Sequence, residues 1–139
     1  MPGTATPPPA DWPGEWLRGV LTLCVLRVLT DGATYGYDIA QRLDAAGLGE
    51  VKGGTLYPLL GRLHTAGLVR EEWRPGAGGP GRKYYELTEA GRAHLERDAA
   101  AWARFADLTR SLVTGAPAGP APDAGGPSRP PVPDPEASR

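Results

Sequence analysis

Six of the fifteen basic residues fall in two neighbouring segments that contain no acid. Lys52, Arg62 and Arg70 lie in the first; Arg74, Arg82 and Lys83 lie in the second, between Trp73 and Tyr85. Cationic side chains in such runs can neutralise phosphates and, where one reaches a base edge, discriminate among bases. The formal net charge is only −1, yet without these six residues the chain would carry −7. An acidic body with two adjacent basic stretches can present one positive face to a polyanion. Chance clustering of solvated side chains is the alternative, so the charge needs support from pattern.

Other chemistries find little. His64 and His94 stand far apart, with no paired cysteine and no H-x-x-E-H spacing, so no metal site is legible and no cofactor is implied. The run Pro75–Gly81 lacks the spacing of a phosphate loop. No nucleophile is paired with a base, and the chain is not read as an enzyme.

The elements that must position these residues follow from periodicity and punctuation. Pro and Gly crowd residues 1–14 and 115–139, where bulky apolar residues are almost lacking, so both segments are expected to be disordered. The opening stretch has no basic region followed by an apolar one, and so does not resemble a signal peptide. The apolar run Val20–Leu29 is about half the length a membrane helix needs. Cys24 is the sole cysteine, which leaves no internal disulfide. These features together point to a cytoplasmic chain.

Within the folded part, Glu15–Thr30 reads as a helix apolar on most of its circumference, buried by neighbours or by a second subunit. A second helix is expected from about Gly36 to Ala46, closed by Gly47 and Gly49. Leu56, Leu59, Leu60 and Leu63 follow the i, i+3, i+4, i+7 rule and predict a third helix, about Leu56–Ala66. Thr55 is its expected N-cap, and Pro58 falls in its first turn. Leu68–Arg74 and Lys83–Thr88 alternate as strands do, joined by Pro75–Gly81 as a hairpin with a loose tip. Thr88 then caps a long helix to about Val113. An apolar stripe along it runs through Leu95, Ala99, Trp102, Phe105 (or Ala106), Leu108 (or Thr109) and Leu112.

The order is helix, helix, helix, hairpin, helix. It predicts a mainly α chain with a small β-hairpin: a winged helix-turn-helix over 15–88 and a carboxy-terminal helix over 89–114. An ordinary small α+β domain fits the same order.

Particular words narrow the choice. Tyr35-Gly36-Tyr37-Asp38-Ile39, then Gly54-Thr55-Leu56-Tyr57-Pro58-Leu59-Leu60, Arg62-Leu63 and Gly67-Leu68-Val69 resemble the PadR family of bacterial transcriptional regulators. So does Gly81-Arg82-Lys83-Tyr84-Tyr85-Glu86-Leu87-Thr88 with Gly91. The likeness runs from about Trp16 to Val113, and the single final helix resembles the short branch of the family. Family members often carry an acidic residue where His64 stands.

The resemblance implies a homodimeric, sequence-specific DNA-binding repressor acting on a pseudo-palindromic operator and released by a small effector. Arg62, on the outer face of the third helix, would reach a base edge or phosphate in the major groove; a solvated arginine is the alternative. Thr55, Tyr57, Pro58 and Thr65 share that helix, and Tyr57 could instead pack on the second helix. Lys52 would meet a phosphate ahead of the helix. Arg82 and Lys83, and more weakly Arg74, would serve the wing. Tyr84 and Tyr85 should face opposite ways. Tyr35 packs the helix-turn-helix or donates to a phosphate. Multidrug-sensing relatives carry a tryptophan in the last helix, which implies that Trp102 lines an aromatic effector site between subunits or simply packs there. Trp16, Leu95, Phe105 and Leu112 are expected on the same dimer surface. A winged helix that binds protein rather than DNA is the remaining rival.

Overall fold

Four leucines on one face of a helix, facing the apolar side of another, organise the chain. In the computed structural model, which describes residues 12–76 and 78–117, α1 (Gly14–Leu29) is followed by β1 (Thr34–Tyr35) and α2 (Gly36–Leu43). A π-helical turn, Asp44–Leu48, leads to α3 (Gly53–Thr65); then come β2 (Val69–Gly76), β3 (Gly79–Leu87) and α4 (Glu89–Thr114). The core joins Leu21, Val25, Leu26 and Leu29 of α1 to Ile39 and Leu43 of α2 and to Leu56, Leu59, Leu60 and Leu63 of α3. Val69, Tyr85, Leu87 and Leu95 close it from the sheet and α4. Of the tails expected at 1–14 and 115–139, residues 1–11 and 118–139 lie outside the described residues, and Gly14 already belongs to α1. Trp12, within the described residues, donates from its indole Nε1 to the Gly47 carbonyl at 2.9 Å.

The hairpin expected from sequence is part of a three-stranded antiparallel sheet in the order β1-β3-β2. Thr34 pairs with Tyr85 and Tyr35 with Tyr84, so a two-residue strand ahead of α2 ties the helix-turn-helix to the wing. The strands also run further than expected. The loose tip shrinks because Gly76 pairs with Gly79, after an irregularity between Arg74 and Gly76 where Pro75 has no N–H to offer the ladder.

The start of α3 is corrected. The N-cap of α3 is Lys52, in extended conformation, and its carbonyl accepts from the Thr55 and Leu56 amides at 2.9 Å. Thr55 is therefore inside the first turn, and Pro58 lies in the helix body. The Gly54 carbonyl that Pro58 leaves without its helical donor is on an exposed residue, where water can satisfy it. The far end closes as a Schellman motif: Leu68 N–H donates to the Leu63 carbonyl, Gly67 N–H to that of His64, with Gly67 at φ 77°.

Thr88 occupies the cap position at the start of α4. Its Oγ1 accepts from the Gly91 amide at 3.0 Å and donates to the Gly67 carbonyl at 2.7 Å. Gly91 is required there, because a Cβ would overlap the Leu68 carbonyl oxygen and stand 2.8 Å from Leu87 Cδ1.

The chain divides into two units within α4, one ending at Arg104 and the other beginning at Phe105. In the second unit Thr109 Oγ1 donates to the Phe105 carbonyl at 2.9 Å, and Arg110 pairs with Asp107 at 2.9 Å. Its Phe105, Leu108, Leu112 and Val113 are all exposed.

Candidate nucleic-acid interface

Burial of Leu56, Leu59, Leu60 and Leu63 fixes which side of α3 faces out. At about 100° per residue the outward pole is Gly54, Pro58, Gly61 and Thr65. No long side chain stands on that pole, so the helix backbone can approach a groove floor closely. Longer side chains flank it. On one side Thr55 and Arg62 border a cavity of about 250 Å³ shared with Arg18 and Thr22 of α1. On the other side Tyr57 faces α2 and the wing.

Tyr57 is placed by its neighbour. A Cβ on Gly36 would lie 2.5 Å from the Tyr57 Oη, so α2 accepts this ring only because position 36 has no side chain. The ring packs on α2 and is also half-exposed at 51%. It forms one wall of a cleft of about 410 Å³ whose lining includes Tyr35, Trp73, Arg82 and Lys83.

Strand alternation sorts the wing residues. Tyr85 is buried in the core, whereas Tyr84 is partly exposed on the opposite face, as their adjacent positions require. Lys83 therefore shares a face with Tyr85 and Trp73, and its ammonium lies 5.5 Å from the Trp73 ring centroid. It also pairs with Glu71 at 3.6 Å, and His64 reaches the same carboxylate at 3.7 Å. Arg82 shares the other face with Tyr84, and its guanidinium lies over Tyr35.

The cations are not equivalent. Arg42, Arg70, Arg74 and Lys83 have carboxylate partners within the unit that ends at Arg104. Lys52, Arg62 and Arg82 have none among the described residues, and all three are exposed. Arg74, a weaker candidate from sequence, is held by Glu72 at 3.5 Å. Thus Tyr35, Tyr57, Arg82 and Lys83 converge on one cleft, Thr55 and Arg62 lie across the helix from it, and Lys52 stands at the helix start. Trp73, which lines the same cleft, is not among the residues expected from sequence. Its 67% exposed indole beside Lys83 is the largest aromatic surface on the wing, and its place in an alternating strand opposite Lys83 was the available signal.

Residues expected at a dimer surface divide. Trp16 and Trp102 in the first unit, and Phe105 and Leu112 in the second, are exposed. Leu95 is not; at 7% exposure it belongs to the chain's own core, because the first turns of α4 pack where the sheet ends. Cys24 is half-buried, and burial raises its thiol pKa above the ordinary value, which disfavours a reactive thiolate.

Residues 25–97 match the family model described as the transcriptional regulator PadR-like family. The chain belongs to this family. A transcriptional regulator of Mycobacterium tuberculosis is 36% identical over 101 residues, covering 73% of this chain and 90% of that protein. Among solved structures, a PadR-like transcription factor from Bacteroides fragilis is 36% identical with a TM-score of 0.61, over 71% of this chain and 95% of the other. A PadR family regulator from Eggerthella lenta is 35% identical with a TM-score of 0.64, over 71% and 86%. The α+β winged-helix architecture of this PadR-like regulator is thus that of its relatives. Among the described residues no helix is long and apolar enough to cross a membrane.

Proposed function

We propose that this PadR-like regulator is a cytoplasmic homodimeric repressor that binds a pseudo-palindromic DNA operator through α3 and the wing. The observation that carries this reading is a group of exposed cations that have no carboxylate partner among the described residues: Lys52 at the start of α3, Arg62 on its flank and Arg82 on β3 of the wing. Arg62 reads a base edge, with Thr55 and Thr65 as shorter polar neighbours and Pro58 offering apolar contact to a thymine methyl. Lys52, Tyr57, Arg82 and Lys83 take phosphates and fix the register, with Tyr35 and Arg74 behind them. A single module of this kind reads few bases, so two-fold pairing supplies the rest, with half-site centres roughly 34 Å apart.

The exposed Trp16, Trp102, Phe105, Leu108 and Leu112 supply apolar surface for pairing with a second copy. A planar aromatic effector stacking on Trp102 at that interface would release DNA only by binding one spacing of the two reading helices more tightly than the other.

The test is a titration of the DNA upstream of the chain's own gene, followed by fluorescence anisotropy at several salt concentrations, with mass measured by sedimentation. A dimer whose log affinity falls steeply and linearly with log salt supports the reading. Binding that ignores salt, or is absent, would overturn it. For the effector, a planar aromatic compound should quench tryptophan fluorescence in the dimer, and the quenching should vanish in a Trp102→Ala variant that still dimerises.

A further inference from the structure

The guanidinium of Arg82 lacks a carboxylate partner among the described residues, yet it is held. Its Cζ lies 4.3 Å from the centroid of the Tyr35 ring. That ring meets Tyr84 edge-on, with centroids 5.4 Å apart and planes at 60°. Arg74 Cζ in turn lies 4.4 Å from the Tyr84 centroid. Side chains from three strands thus form one contiguous row in the order Arg82, Tyr35, Tyr84, Arg74.

Strand register accounts for it. Tyr35 is opposite Tyr84 across β1 and β3, and Arg74 is opposite Arg82 across β2 and β3. Two like charges directly across a sheet repel. Each guanidinium lies instead over the negative face of a ring, a favourable place for a cation. The two arginines then differ in one respect. Arg74 is engaged by Glu72, while Arg82 is exposed and has no ion-pair partner among the described residues.

We propose that Tyr35 is a positioning residue for DNA binding: its ring, not its hydroxyl, holds the Arg82 guanidinium ready for a backbone phosphate. This rests on the DNA reading above and adds what prepares the wing for it. Fixing a long side chain at the moment of binding costs affinity, about two- to tenfold for a chain as mobile as arginine. Stacking on Tyr35 meets that cost beforehand. Tyr35 also precedes the first residue of α2, so the two-residue strand β1 joins the orientation of Arg82 to the helix-turn-helix.

The test uses the full-length chain and a duplex carrying its upstream sequence, with affinities for Tyr35→Phe, Tyr35→Leu, Arg82→Ala and the double variant Tyr35→Leu/Arg82→Ala. Tyr35→Phe, which keeps the ring, should bind within about twofold of the parent. Tyr35→Leu should bind about three- to tenfold more weakly. The double variant should bind no worse than Arg82→Ala alone, because the ring acts through the arginine. General damage to the fold would weaken the double variant further, so the cycle separates positioning from structure. An equal loss in Tyr35→Phe and Tyr35→Leu would assign the effect to the hydroxyl and overturn the proposal. Independent, multiplying losses in the double variant would overturn it as well. Unchanged affinity in Arg82→Ala would refute the wing reading itself, a result distinct from either failure of Tyr35.

Discussion

Replacing Gly91 by alanine tests how closely α4 is docked on the turn before β2. A Cβ at this position would overlap the Leu68 carbonyl oxygen and stand 3.0 Å from its carbon, so the carbonyl must retreat by about an ångström. That carbonyl accepts the Thr88 amide at 3.1 Å, and Thr88 Oγ1 caps the Gly91 amide at 3.0 Å. Loss of the cap costs about 1 kcal/mol and loss of the backbone bond about the same. The overlap itself adds about 1–3 kcal/mol, while alanine returns about 1 kcal/mol of helix propensity. The net expectation is a loss of about 2–4 kcal/mol, or a midpoint lower by about 10 °C or more in a domain of this size. Urea unfolding followed by circular dichroism at one fixed chain concentration measures it. Gly61→Ala is the control, since nothing lies within 4 Å of a Cβ there, and it should be neutral or slightly stabilising. If Gly91→Ala unfolds within about 0.5 kcal/mol of the parent, the close approach of α4 to Leu68 is wrong.

Two further outcomes follow from the same geometry. In Gly36→Ala the obstacle is the mobile end of Tyr57 rather than backbone, so stability should change by less than about 1 kcal/mol while DNA affinity falls to that of Tyr57→Leu; parental affinity would show that the placement of Tyr57 is irrelevant to binding. Burial first, then the Glu71 charge and Tyr57, raise the Tyr85 pKa above its ordinary 10.0. The unfolded chain therefore loses this proton first as pH rises past 10.0, and stability should fall from there until the folded pKa is passed. Tyr85→Phe should flatten that alkaline limb, and an equally steep limb would assign it to other groups.

Much of the architecture was legible because its signals are periodic. Leu56, Leu59, Leu60 and Leu63 mark the buried face of α3, and Thr88 marks the start of α4. The start of α3 was not, because the Gly53-Gly54 pair reads as loop by propensity. Here the packing of Leu56 and Leu60 and an extended Lys52 carry the helix through it. A two-residue strand such as β1 has no periodicity of its own and exists only through its partner in β3. The basic segments of the candidate site were legible in composition, but the arrangement of their side chains was not. Sequence grouped Arg82 with Lys83, whereas the pleat sends them to opposite faces, one to Tyr35 and the other to Trp73 and Glu71. Leu95 fitted an interface stripe by spacing, but spacing along a helix does not say which neighbour covers it.

In the proposed division of roles, α3 reads sequence while the wing holds the phosphate backbone. Affinities of Arg62→Ala and Arg82→Ala for the upstream duplex and for a scrambled duplex, each across a salt series, test it most directly. Arg62→Ala should bring the two affinities together, losing discrimination on the order of 1–3 kcal/mol. Arg82→Ala should weaken both duplexes alike and reduce the salt slope by about one phosphate contact. Equal and small effects from both variants, with discrimination intact, would refute this division of roles.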